Sequence, residues 1–265
     1  MTPAEQYQSH CRALLDAVAA QNAAIAQAAD WFAAAILAGR MVHVFGSGHS
    51  RIMVEEMWPR YGSFPGFNPI VELSLTFHNN VVGANGQRQA MFLENVPGLA
   101  ARILRNFDVT GQDAALVISS SGCNVVPIEF AEHCRDRKMK VVVIISKRHS
   151  VASTSRHPRG VKLGDVADLV LDTGAPAGDS MVRIKGLESP VAPGSTVGGC
   201  VLINSIKAEV AHRLTAAGQP PKVLTAACVM DAERATALFE SAYDEHAHRL
   251  AKMYANVGPA AVPSR

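Results

Sequence analysis

Three consecutive serines and a glycine, Ser119-Ser120-Ser121-Gly122, follow the apolar run Ala114 to Ile118 and precede a predicted helix that begins near Asn124. This order reads as strand, hydroxyl-rich turn, helix. Such a turn sets hydroxyls and backbone N–H groups at the positive end of a helix, a favourable place for a phosphate. Ser119, Ser120, Ser121 and Asn124 are therefore candidate phosphate ligands; the alternative is that they only cap the helix. An earlier segment repeats the arrangement: MVHVF (41–45) leads into Gly46-Ser47-Gly48-His49-Ser50 and then a helix. Gly46 and Gly48 let the backbone approach a ligand, while Ser47 and Ser50 add hydroxyls, so Ser47, Gly48 and Ser50 join the phosphate set. Two such loops after two strands point to a small phosphorylated ligand at the carboxyl edge of a parallel sheet.

Acid–base chemistry needs a carboxylate or an imidazole near that ligand. Glu55 and Glu56 lie one turn into the helix after the first loop. Adjacent helix positions diverge by about 100°, so one of the two can face the pocket. A carboxylate there could move a proton between neighbouring carbons of a sugar; a solvated surface pair is the other reading. His49 sits in the loop itself, and His78 lies with Asn79 in a polar segment able to cover the pocket. Arg51 could add charge to the site or simply lie on the helix surface.

Other chemistries fit poorly. A dinucleotide fingerprint would need glycine where Arg51 stands. No Gly-Lys-Ser/Thr makes a phosphate-cradling P-loop, and Ser47, flanked as FGSGHS, is no nucleophile elbow. His246 and His248 are two apart on a predicted helix, His149 and His157 fall in a loop, and no HExxH or Cys/His set occurs, so neither metal nor cofactor is expected.

The surrounding elements must position these loops. The chain has 265 residues, 48% of them hydrophobic and 18% charged, which suits one large α/β domain or a domain with helical extensions. The net charge of +2, with scattered basic residues, gives no electrostatic case for nucleic acid or an anionic membrane. Five cysteines without a C-x-x-C pair read as reduced thiols of a cytoplasmic protein. The polar start MTPAEQYQSHCR lacks the apolar core of a secretory signal, and no apolar run reaches the ~18 residues of a membrane span.

Residues 4–38 are Ala-rich and predict one long helix, or two joined near Gln21-Asn22, packing across the domain or on another subunit. Strands are predicted at Val42–Phe45, Ile70–Leu73, Ala114–Ile118, Val141–Ile145, Leu169–Asp172 and Met181–Lys185. Helices are predicted at 51–61, 97–107, 125–138, 196–217 and 231–254, and 74–95 reads as an irregular loop. The alternation of strands and helices argues for a parallel α/β sandwich.

FGSGHS, followed by VISSSGCNVVPIEFAEHCRDRKMKVVVIIS, resembles the SIS (sugar isomerase) domain family of phosphosugar isomerases and phosphosugar-binding proteins. The resemblance runs from about 35 to 215. With SRHPRGVKLGDVADLVLDTGAPAGDS, PGSTVGG and GQPPKV it extends to an uncharacterised single-domain subgroup over nearly the whole chain. It implies a three-layer α/β/α sandwich around a five-stranded parallel sheet. The division would be an N-terminal helical segment at 1–38, the phosphosugar-binding domain at 39–218 and a C-terminal helical extension at 219–265. It implies that Ser47, Ser119 and Ser121 bind the sugar phosphate with help from Ser120 and Asn124. It also implies a homodimer or homotetramer with the site near a subunit interface.

Phosphoheptose isomerase, which is similar in size, uses a Glu that the resemblance sets near Arg60 and a His in the late helix. Here the early part of STVGGCVLINSIKAEVAH has neither His nor Glu. The expected function is aldose–ketose isomerisation of a sugar phosphate through an enediol, with Glu55 or Glu56 as base and His49 or His78 serving the carbonyl or hydroxyl. The rival is a non-catalytic phosphosugar sensor or assembly protein; a third option is a lyase or deaminase acting on an amino-sugar phosphate.

Overall fold

The computed structural model describes residues 1–76, 86–255 and 257. Its centre is a parallel five-stranded sheet in the order β2-β1-β3-β4-β5. The strands are β1 (Val42–Gly46), β2 (Phe67–Ile70), β3 (Ala114–Ile118), β4 (Lys140–Ile145) and β5 (Leu169–Asp172). AALVI and VVVII are unbroken apolar runs because β3 and β4 are covered on both faces, and all five residues of β3 are buried. Gly46 pairs in register with Ile118. The loops after β1 and β3 therefore leave the sheet side by side, at the point where the strand order reverses and α/β sheets open a crevice.

On one face pack α1 (Pro3–Ala19), α2 (Asn22–Leu37), α3 (Arg51–Met57) and the long α8 (Ser195–Ala216). Phe32, Ile36, Leu202, Ile203 and Ile206 join Val42, Val44 and Leu116 in that core. Gly198 and Gly199 make the approach possible: an added Cβ would lie 2.1 Å from the Thr173 carbonyl oxygen and 1.9 Å from Met53 Sδ, respectively. The opposite face carries α5 (Leu99–Leu104) and α6 (Val125–Asp136), with Phe130 stacked on Phe45 at 4.4 Å.

The N-terminal helices thus pack across the domain. They are two helices, and Gln21 between them exchanges hydrogen bonds of 2.8 Å with both main-chain groups of Asp172, binding the junction to β5. The last helix, α9 (Ala232–Tyr254), is tied back through Arg249, which donates to the carbonyls of Ile36 and Arg40 at 3.1 Å.

Several elements differ from the sequence expectation. Strand β2 ends at Ile70, where 70–73 was expected. The helix 51–61 stops at Met57, ahead of Pro59. A helix, α4 (Gly86–Leu93), occupies part of the expected loop 74–95. Residues 147–152 form a further short helix, α7 (Lys147–Ala152). The strand at 181–185 is one arm of a hairpin between β6 (Ser180–Val182) and β7 (Val191–Pro193).

Candidate functional site

A cavity of about 580 Å³ opens at the carboxyl edge of the sheet. Ser47, Gly48, His49 and Ser50 line it from the loop after β1, and Ser119, Ser120, Ser121 and Asn124 from the loop after β3. The structure thus gathers eight of the sequence candidates into one pocket.

The serine turn is arranged to donate. Gly122 N–H donates to Ser119 Oγ at 3.2 Å and Cys123 N–H to Ser121 Oγ at 3.3 Å. Each oxygen accepts from the backbone, so its own proton can turn to an incoming acceptor. Ser120 Oγ lies 3.4 Å from Nδ1 of His149, which comes from α7 and also lines the pocket. Gly122 makes the turn with φ of 63°, a left-handed backbone that suits glycine.

Beside these hydroxyls stands Glu94, just past the end of α4 and only 8% exposed. One carboxylate oxygen accepts from Ser47 Oγ at 2.7 Å and the other from Asn124 Nδ2 at 2.6 Å. Its carbonyl accepts from Val126 N–H at 2.9 Å, fixing the residue to the first turn of α6. Arg156 donates to Asn124 Oδ1, so a chain runs from Arg156 through Asn124 and Glu94 to Ser47. Burial pushes the Glu94 carboxyl above its ordinary range; the Ser47 hydrogen bond and the charge of Arg156 oppose this without cancelling it. A carboxylate raised in this way is suited to taking and returning protons. Cys123 also lines the pocket, but burial raises its thiol, which disfavours the reactive thiolate.

Glu55 and Glu56 lie elsewhere. Met53, Val54 and Met57 are the buried face of α3, so the neighbouring glutamates turn away from the sheet edge. They line a separate hollow with Tyr61, Leu224, Phe239 and Tyr243. Glu55 pairs with Arg51 at 3.4 Å. Glu56 pairs with Arg60 and accepts from Asn204 Nδ2 at 2.8 Å. Burial works to raise the Glu56 carboxyl, yet those hydrogen bonds and the charges of Arg60 and Lys207 hold it below the usual range. The proton-transfer role expected of this pair finds no partner geometry in the pocket. His78, the other catalytic candidate, falls outside the described residues.

Sequence reasoning missed Glu94, Arg156 and Asp179, which all line the pocket. Glu94 lay in a stretch without helical period, and the other two lie in turn-rich segments whose paths depend on tertiary packing. Among the described residues no group of three His, Cys, Asp or Glu is placed to hold a metal ion, and no helix is long and apolar enough to cross a membrane.

Residues 6–146 match the family model described as SIS domain. The chain is 34% identical to a UPF0309 protein of Halalkalibacterium halodurans over 222 residues, 84% of this chain and 89% of that protein. It is 36% identical to a UPF0309 protein of Brucella canis over 214 residues, 80% of this chain and 83% of the relative. Among solved structures it is similar to a phosphoheptose isomerase from Francisella tularensis, at 15% identity and a TM-score of 0.48, over 79% of this chain and 98% of that one.

Proposed function

Because the chain belongs to the SIS domain family and to the UPF0309 proteins, we propose that its pocket binds a phosphorylated sugar and interconverts the aldose and ketose forms. The observation that carries this reading is the two-sided character of the cavity. Hydroxyl donors and basic side chains (Ser119, Ser120, Ser121, His149, Arg156) share it with a buried carboxylate, Glu94. The first set suits a phosphate and the second suits the reacting carbons.

In this reading Ser119, Ser120 and Ser121 hold the phosphate, with Asn124 and the start of α6 behind them. Ser47, Gly48 and Ser50 hold the adjoining part of the ligand. Glu94 removes the proton from the carbon next to the carbonyl and returns it to the neighbouring carbon through an enediol. Its two hydrogen bonds use one lone pair on each oxygen and leave another free to accept that proton. His49 takes the place beside the carbonyl or its hydroxyl. The hydroxyl proton passes by way of His49 to the carbonyl oxygen, so over the cycle no proton is gained or lost and no outside electron donor is needed. Glu94 replaces Glu55 and Glu56 in the role of base, since α3 turns those two away. Assembly as a homodimer or homotetramer belongs to the same reading and is measured by light scattering.

One observation favours the non-catalytic rival. Both Glu94 oxygens already accept protein hydrogen bonds, as a purely structural carboxylate would. Calorimetry with sugar phosphates of four to seven carbons and their unphosphorylated counterparts tests the binding step. Phosphorylated sugars alone should bind, and Ser121→Ala should weaken them by about tenfold or more, as loss of a hydrogen bond to a charged group does. Equal affinity for both kinds of sugar would refute the phosphate assignment. Binding without turnover of any sugar in the panel would favour the sensor.

A further inference from the structure

Two helices begin at the pocket from opposite faces of the sheet, and they differ in what an anion would meet. The start of α6 has no side-chain cap: Asn124 makes no capping bond, the Glu94 carbonyl takes only Val126 N–H among the described residues, and the serine hydroxyls stand beside it. The start of α8 is already filled. Gly194 has no side chain to cap this 22-residue helix, and a residue 15 positions earlier does so. Asp179 Oδ1 accepts from Ser195 N–H at 2.7 Å and from Gly194 N–H at 3.1 Å, and Oδ2 accepts from Ser195 Oγ at 2.7 Å. Asp179, Ser195 and Thr196 all line the same cavity as Ser119 to Ser121.

The positive end of α8 is thus neutralised by the protein's own carboxylate, within the cavity in which a substrate would lie. We propose that Asp179 is a specificity-determining residue that limits this pocket to sugar monophosphates. The proposal rests on the phosphosugar reading and names its substrate class more narrowly. A phosphate carries roughly 1.5–2 negative charges near neutral pH. One such group fits the serine turn. A second, at the far end of the same sugar, would meet a fixed carboxylate rather than free N–H groups, and like charges brought together oppose binding. An uncharged end bearing hydroxyls meets no such repulsion and can donate to the lone pairs that Asp179 keeps. Asp179 therefore also sets direction, because only one end of the pocket accepts the anion.

The test is calorimetry on the full-length protein with matched pairs: fructose 6-phosphate against fructose 1,6-bisphosphate, and ribulose 5-phosphate against ribulose 1,5-bisphosphate. Asp179→Asn removes the charge, keeps an acceptor for the helix start and tolerates the residue's φ of 67°. Asp179→Gly, which suits that backbone, serves as the second variant if D179N melts early. Wild type should prefer each monophosphate by at least roughly tenfold, and D179N should narrow the ratio to about threefold, chiefly by gaining bisphosphate. An unchanged ratio, a parallel loss of both ligands, or a wild type that takes both alike overturns the role of Asp179 and leaves the phosphosugar reading standing. A wild type that binds none of the four sugars, no other sugar phosphate of four to seven carbons and no inorganic phosphate overturns that reading and this inference with it.

Discussion

Asp113 lies immediately before β3, at the amino edge of the sheet, whereas Glu94 meets the loops that leave β1 and β3 at the carboxyl edge. Both carboxylates are buried, at 3% and 8% exposure. Asp113 accepts from Arg40 Nη2 at 2.7 Å and Nε at 3.1 Å, from Thr110 N–H at 2.7 Å and from Met41 N–H at 3.2 Å, with His43 Nε2 facing it at 3.7 Å. Burial pushes its carboxyl up, but His43, Arg40 and Thr110 together outweigh burial and hold it well below the usual range. Glu94 accepts from two neutral side chains, and the guanidinium beside it, Arg156, reaches Asn124 instead. There burial prevails and the carboxyl rises. Desolvation acts in the same sense on both; a directly paired cation decides the sign. The amino edge fixes an anion that fastens the start of β1 to the start of β3, and the carboxyl edge keeps a carboxylate closer to its proton.

Asp113→Ala should give the largest loss of stability. It leaves Arg40 and the Thr110 and Met41 N–H groups without their acceptor, and breaking such a pair costs about 3–5 kcal/mol. Urea denaturation of this variant measures the loss; a value under about 1 kcal/mol would show that the amino-edge cluster is not the fastening described. Lys207→Met probes a buried cation instead of a buried carboxylate. Its ammonium donates to the Glu56 carbonyl at 2.8 Å, Ser63 Oγ at 3.0 Å and Asn204 Oδ1 at 3.1 Å. Burial lowers its pKa against the opposing charge of Glu56. Leaving those acceptors unpaired should cost about 1–3 kcal/mol by the same denaturation measurement, with no change in ligand affinity.

The pH dependence of stability separates the two carboxylates. The Asp113 carboxyl is lowered on folding, so its contribution is full above the unfolded value near ~4 and is lost progressively as pH falls from there through the lower folded value. The Glu94 carboxyl is raised, so its favourable contribution is full below the unfolded value near ~4.3 and declines as pH rises through the folded value. Glu94→Gln should therefore gain stability relative to wild type as pH rises from about 4 towards neutral. Parallel curves would mean that Glu94 is not raised. Glu55→Gln should have the smallest effect, within about 0.5 kcal/mol of wild-type stability and with unchanged turnover, since its ion pair with Arg51 is solvent-exposed.

The parts of this molecule that sequence made legible are those whose information is local. Strand β3 falls on the expected residues and β4 extends by Lys140 alone, because covered parallel strands are written as continuous apolar runs, and the half-buried edge strand β5 falls where its short apolar run places it. The two serine loops were visible for the same reason, being punctuation after such runs. Glu94 was not, because nothing in its neighbours states that α4 ends against the start of α6. Glu55 and Glu56 misled because spacing along a helix gives the angle between two side chains but not which of them faces the site; the burial of Met53, Val54 and Met57 decides that. Asp179 caps a helix 15 residues away, beyond the reach of any local capping pattern.

The most direct test of the central claim is deuterium incorporation from D₂O at the carbon next to the carbonyl, followed by NMR for wild type and Glu94→Gln with whichever sugar phosphate binds. The account predicts exchange by wild type, a fall of about 10²–10⁴-fold in the variant, and sugar phosphate affinity kept within a few-fold. Exchange that persists in Glu94→Gln at the wild-type rate would contradict it.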